Sequence, residues 1–131
     1  MIIKKYGIFF VLLLFITTCN NVTFSPLVGK WQLKTIEKNG EIESVDTVWY
    51  NFQSKSIFSF QIYEPQQDRY RSYVGLRTQN DKVVSIKLQD VAVVNLSDWS
   101  SVNRSFTIIN MNKRRLLLQS EEGYFYSFNK Y

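Results

Sequence analysis

The sequence predicts an all-β fold, an eight-stranded antiparallel up-and-down barrel with a small or filled interior. Three observations carry that prediction. From Leu27 to the C-terminus, apolar residues recur at every second position, the period of a strand with one face buried, and helical periodicity is missing. Turn-forming pairs and polar breaks divide this run at short intervals, as strands joined by hairpins require. Finally, a chain of 131 residues, the length of one domain, carries ten Phe, eight Tyr and three Trp, the bulky side chains that suit a pleated inner face.

The N-terminus is set apart from that domain. Met1 to Gly7 carries Lys4 and Lys5, and Ile8 to Ile16 is an unbroken apolar run. A basic start followed by a short apolar core reads as a secretory signal, too short to span about 30 Å of hydrocarbon. Ile16-Thr17-Thr18-Cys19 follows at once and resembles the lipobox of bacterial lipoproteins, with Thr18 where Gly, Ala or Ser is usual. The resemblance implies a signal over 1–18, cleaved before a Cys19 that carries acyl chains, and so a membrane partner through that anchor. An ordinary secretory signal or an uncleaved anchor is the alternative. Cys19 is the only cysteine, which excludes an intramolecular disulfide. Residues 19–26 are polar, end in Pro26 and read as a lipidated tether. Asn20 after the cysteine, rather than Asp, points under the enteric rule to the outer membrane, facing the periplasm.

The domain, 27–131, is then read in order. Trp31, Leu33 and Thr35 alternate with polar neighbours up to Asn39-Gly40, a strong hairpin pair. Val48, Tyr50 and Phe52 share a face opposite Trp49, which is either exposed or evidence that the register is off by one. Phe58, Phe60 and Ile62 follow a polar break, and Glu64 to Asp68 is a loop around Pro65. Tyr70, Ser72, Val74 and Leu76 oppose Arg71, Tyr73, Gly75 and Arg77. Asn80-Asp81 turns the chain into Val84, Ile86 and Leu88. Gln89 to Asn103 is the least regular part: Val91 to Leu96 reads as a strand extension, and Ser97 to Ser101 as a turn or one helical turn capped by Ser97. Beyond it, Phe106 and Ile108 compete with Ile109 and Met111 for the inner face. The last two strands run over Arg115 to Ser120 and Tyr124 to Tyr131.

Composition removes several function classes. There is no histidine, so Ser-His and Cys-His catalysis and a His-based metal site are excluded, and the lone cysteine is assigned to the anchor. Glu64, Asp68, Asp81, Glu121 and Glu122 fall in turns, where carboxylates are solvated, so a catalytic carboxylate pair is not expected. No metal or cofactor is expected. The net charge of +5 includes Lys4 and Lys5, and the remaining charges are interspersed, so nucleic acid is not an expected partner.

Gly29-Lys30-Trp31 at the start of the first strand, within an eight-stranded domain, resembles the lipocalin and lipocalin-like calycin barrels. The likeness is nearer to the small lipocalin-like lipoproteins of Bacteroidetes, which pair a lipobox with Leu-x-Gly-x-Trp and end on a hairpin such as Tyr126 to Lys130. The Thr-Asp-Tyr turn of lipocalins is absent, and the arginine that packs across their tryptophan corresponds to Arg115 or to none. On this reading Gly29 and Trp31 close the barrel floor. Tyr63, Tyr70 and Trp99 are the candidate ligand contacts, Trp99 as a lining or cap at one end. Eight strands enclose either packed side chains or one small ligand. The expected inner set is Trp31, Tyr50, Phe52, Phe58, Phe60, Phe106, Tyr124, Tyr126 and Phe128. The expected function is therefore non-catalytic binding of a small apolar or amphiphilic ligand at the barrel mouth. The alternative is a protein- or glycan-interaction module with a solid core.

Overall fold

The computed structural model describes residues 27–131; the expected signal, Cys19 and the tether lie outside the described residues. Among the described residues, nine strands and one short helix follow each other: β1 (Gly29–Lys38), β2 (Glu41–Ser44), β3 (Val48–Phe52), β4 (Ile57–Glu64), β5 (Arg69–Asn80), β6 (Val83–Leu88), α1 (Val93–Leu96), β7 (Asn103–Met111), β8 (Arg115–Ser120) and β9 (Phe125–Lys130). Every pairing is antiparallel between neighbours, and β1 also pairs with β9. Eight strands thereby close into an up-and-down barrel with no free edge, and β2 is an extra strand on the end of β1.

Sequence reasoning had not assigned Glu41 to Ser44 to a strand, because all four residues are exposed and show no buried face. The hairpin before it is as expected. Asn39 and Gly40 both take positive φ, 55° and 84°, as a tight two-residue turn demands.

Two bulges reset the inner face. One lies between Leu33 and Thr35, so that Ile36 rather than the expected Thr35 turns inward. The other, between Ile108 and Asn110, resolves the competition on β7: Ile108 packs on the core, Ile109 is exposed and Met111 returns to the core. Trp49 keeps the outward register expected of it, opposite Gln32 and Gln61, yet it is buried. On β5 the inward set is Arg71, Tyr73, Gly75 and Arg77, which leaves Val74 and Leu76 exposed. Arg71 and Arg77 sit near the two ends of the strand, where long side chains reach past the core. Gly75 lies where β6 crosses closely, and a Cβ there would overlap the Lys87 carbonyl.

Strand direction defines two ends. The floor carries Leu27, the 53–56 loop and the turns at 81–82 and 112–114. The mouth carries the 39–40 hairpin, the 65–68 loop, the 89–102 segment and the 121–123 turn. The core between them holds Trp31, Tyr50, Phe52, Phe58, Phe60, Phe106, Tyr126 and Phe128, each at most 1% exposed. Tyr124, also expected inside, is half-buried at the edge of that cluster.

Candidate functional site

Tyr50, from β3, stands at the middle of the barrel lumen. Its ring meets those of Phe58, Phe60, Phe106 and Phe128 at centroid distances of 4.8–5.9 Å. The remaining space is taken by Trp99, which enters from the mouth. Ala92 to Leu96 winds into one helical turn where a strand extension was expected. Ser97 ends that turn rather than starting the next one: its hydroxyl donates to the Val93 carbonyl at 2.7 Å and accepts from the Trp99 N–H at 3.1 Å. This reverses the chain and drives the indole inward. Trp99 Nε1 then donates to the Tyr50 hydroxyl at 2.9 Å, and the ring stacks on Phe58 at 6.2 Å. The lumen is filled with side chains, and Trp99 is one of them.

A polar network holds this plug. Arg104, on β7, is 7% exposed and faces Asp98 at 3.5 Å and Glu122 at 3.8 Å. Its Nη2 donates to the Tyr126 hydroxyl, which in turn donates to Asp98. The guanidinium lies 4.9 Å from the Phe106 and Tyr126 rings and 5.5 Å from Trp99. Lys38 reaches Asp98 at 4.0 Å. Burial, reinforced by Asp98, pushes the Tyr50 hydroxyl far above the ordinary tyrosine value. Burial and the hydrogen bond to Asp98 do the same for Tyr126. Burial alone would lower the Arg104 value, but Tyr50, Asp98 and Tyr126 outweigh it and raise it. The mouth is thus closed by charges that compensate one another.

The floor is closed by Trp31. Its Nε1 donates to the Leu27 carbonyl at 3.0 Å, and Leu27 is fully buried. The cation across the indole is Lys130, 4.5 Å from the ring, with Nζ donating to the Val28 carbonyl at 3.1 Å. Arg115, the residue considered for this place, is instead exposed at the start of β8. Gly29, at φ 140°, sits under Lys130, and a Cβ there would overlap the ammonium group. Arg77 seals the neighbouring gap, donating to the Ser54 carbonyl at 2.7 Å and to Gln79 at 3.1 Å above the Phe52 ring.

Tyr63 and Tyr70 do not join Trp99 in one site: Trp99 fills the lumen, and they face outward. They lie together on the outer wall, 5.0 Å apart, with the Tyr63 hydroxyl donating to Asp68 at 2.7 Å. Tyr70 leans on Trp49 at 5.5 Å, and Tyr131 packs on the other side of Trp49 at 5.9 Å under Lys30. Tyr70 and Tyr131 are 57% and 69% exposed, whereas Trp49 beneath them is 6% exposed. The Trp49 N–H is buried and finds no acceptor among the described residues. Sequence reasoning sees Trp49 and Tyr70 singly; Lys30 joins Trp49 through the β1–β3 pairing, and Tyr131 joins it only because β9 closes on β1.

The family described as lipocalin-like domain matches residues 13–131. The chain belongs to that lipocalin-like family. No curated protein matches it. Among solved structures, this lipocalin-like chain is similar to a lipocalin-like protein from Bacteroides uniformis, at 28% identity and a TM-score of 0.72, covering 81% of this chain and 99% of that one. It is also similar to an uncharacterized protein from Bacteroides eggerthii, at 25% identity and a TM-score of 0.69, covering 79% and 98% respectively. A lipocalin-like fold suggests a barrel that binds a small ligand, and the family is generally non-catalytic. In this lipocalin-like barrel the corresponding space is occupied by Tyr50 and Trp99.

Proposed function

We propose that this lipocalin-like chain is a non-catalytic binding module of the bacterial cell envelope, held on the membrane by acyl groups on Cys19, with a solid barrel that presents its outer aromatic wall to a protein partner. One observation carries the reading: the buried Trp49 N–H without an acceptor, beneath the exposed rings of Tyr70 and Tyr131. A buried donor left unpaired is costly, and a partner that displaces the exposed Tyr70 or Tyr131 ring would bring a backbone carbonyl to it. Tyr and Trp in one patch are the residues that anchor protein interfaces. The rings tilt at 57°, 83° and 49° to one another and offer no common plane for a sugar ring, which favours a protein over a glycan. The lipobox-like Ile16 to Cys19 and the polar tether support the anchor, and Asn20 supports the outer membrane, periplasmic side.

A photo-crosslinking side chain at position 70 tests the wall in intact cells, with position 76, exposed elsewhere on β5, as control. One discrete protein adduct from position 70 alone is expected, and no adduct, or the same adducts from both, refutes the reading. The anchor is tested separately: Cys19→Ser should abolish partition into the detergent phase.

A small apolar ligand at the mouth is the second reading, and the family's barrel is what favours it. It requires Trp99 to leave the lumen. Native mass spectrometry of protein extracted without denaturation would then show a bound molecule, displacing the first reading.

A further inference from the structure

The topology sorts the charges by end. The floor turns carry Lys55, Lys82, Lys113, Arg114 and Arg115, joined by Lys130, and all six are exposed. Among the described residues Asp81 is the only carboxylate in those turns. Each ion pair among the described residues lies at the mouth or on the strands leading to it, through Glu64, Asp98 and Glu122. The 39–40 hairpin leads into Glu41 and Glu43, and the 121–123 turn adds Glu121. The barrel therefore has a cationic floor whose six charges make no ion pair among the described residues, and an acidic mouth.

The described chain begins at that floor, at Leu27, eight residues after Cys19. Eight residues reach at most about 27 Å, so the floor is the end of the barrel able to come to within a Debye length, about 8 Å, of the surface to which Cys19 is attached. Cations so placed are drawn to anionic headgroups, while the acidic mouth is repelled. We propose that the floor turns dock on the anionic lipid headgroups of the bilayer that carries the chain, so that the barrel stands with its mouth away from the membrane. This rests on the anchor reading for proximity, but the docking surface itself belongs to residues 27–131.

Lysine footprinting of the full acylated protein, reconstituted in vesicles, tests it. Neutral vesicles of phosphatidylcholine are compared with vesicles containing about a third phosphatidylglycerol. In the anionic vesicles, amine acylation of Lys55, Lys82 and Lys113 should slow by at least about fivefold, the factor expected for one screened cation, while exposed Lys87 near the mouth is unchanged. High salt, or Arg114→Glu with Arg115→Glu, should restore the neutral-vesicle rates. Equal rates for the three floor lysines in both vesicle types overturn the proposal, as does equal protection of Lys87. Failure of the anchor reading shows separately, as protein that does not float with neutral vesicles.

Discussion

Trp99 decides what the lumen can hold. Truncating it removes a fully buried indole in contact with Tyr50, Phe58, Phe60 and Phe106. Trp99→Ala should cost about 3–5 kcal/mol in chemical denaturation, and the apolar void it leaves should bind a small hydrophobe that the parent does not. At the floor, Gly29→Ala forces a side chain into φ 140° against Lys130 and should cost about 1–2 kcal/mol. The two buried tyrosines give a pH prediction. The ordinary tyrosine value is 10.0, and both Tyr50 and Tyr126 are raised above it in the fold. Their contribution to stability is present in full below pH 10 and declines as the pH rises beyond it, because the unfolded chain loses those protons first. Ultraviolet titration should therefore show Tyr50 and Tyr126 ionising only as the barrel unfolds.

The 89–102 segment is the element on which strand-pattern reasoning fails, and the reason is physical. Its fold is set by contacts far away in sequence: Trp99 with Tyr50, 49 residues apart, and Asp98 with Tyr126, 28 apart. Alternation located all eight barrel strands, because Val84, Ile86 and Leu88 or Tyr126 and Phe128 write their burial in steps of two. It placed Thr35 wrongly because a bulge shifts phase without changing composition. Of the candidate site, the individual aromatics were legible, but the outer wall was not, since Tyr131 meets Trp49 only through barrel closure. The plug also makes a prediction of its own. Asp98→Asn leaves buried Arg104 with Glu122 alone at 3.8 Å and should cost about 3 kcal/mol, read as a lower denaturation midpoint at unchanged slope.

At the scale of the whole molecule, the barrel works as a solid body with differentiated surfaces: a cationic floor, an acidic mouth and one aromatic wall. On the proposed reading function resides on the outer wall rather than in a calyx, and core substitutions should act through stability alone. Charge changes at the floor turns, by contrast, should leave the thermal midpoint within about a degree or two, since exposed substitutions of this kind are worth no more than about 0.5 kcal/mol. The closure of β1 on β9 carries a further consequence, for the order of events in folding. Trp31 is paired with Lys130, so the first strand receives its last neighbour from the far end of the chain. Until those final residues are free to pair, β1 keeps one row of amide groups unpaired, and no earlier segment can substitute for it. The barrel should therefore fold late and all at once, in milliseconds to seconds once the whole chain is free rather than progressively as it emerges. A chain ending before residue 125 would leave β1 and β8 each with an open edge, and should be degraded in cells rather than accumulate.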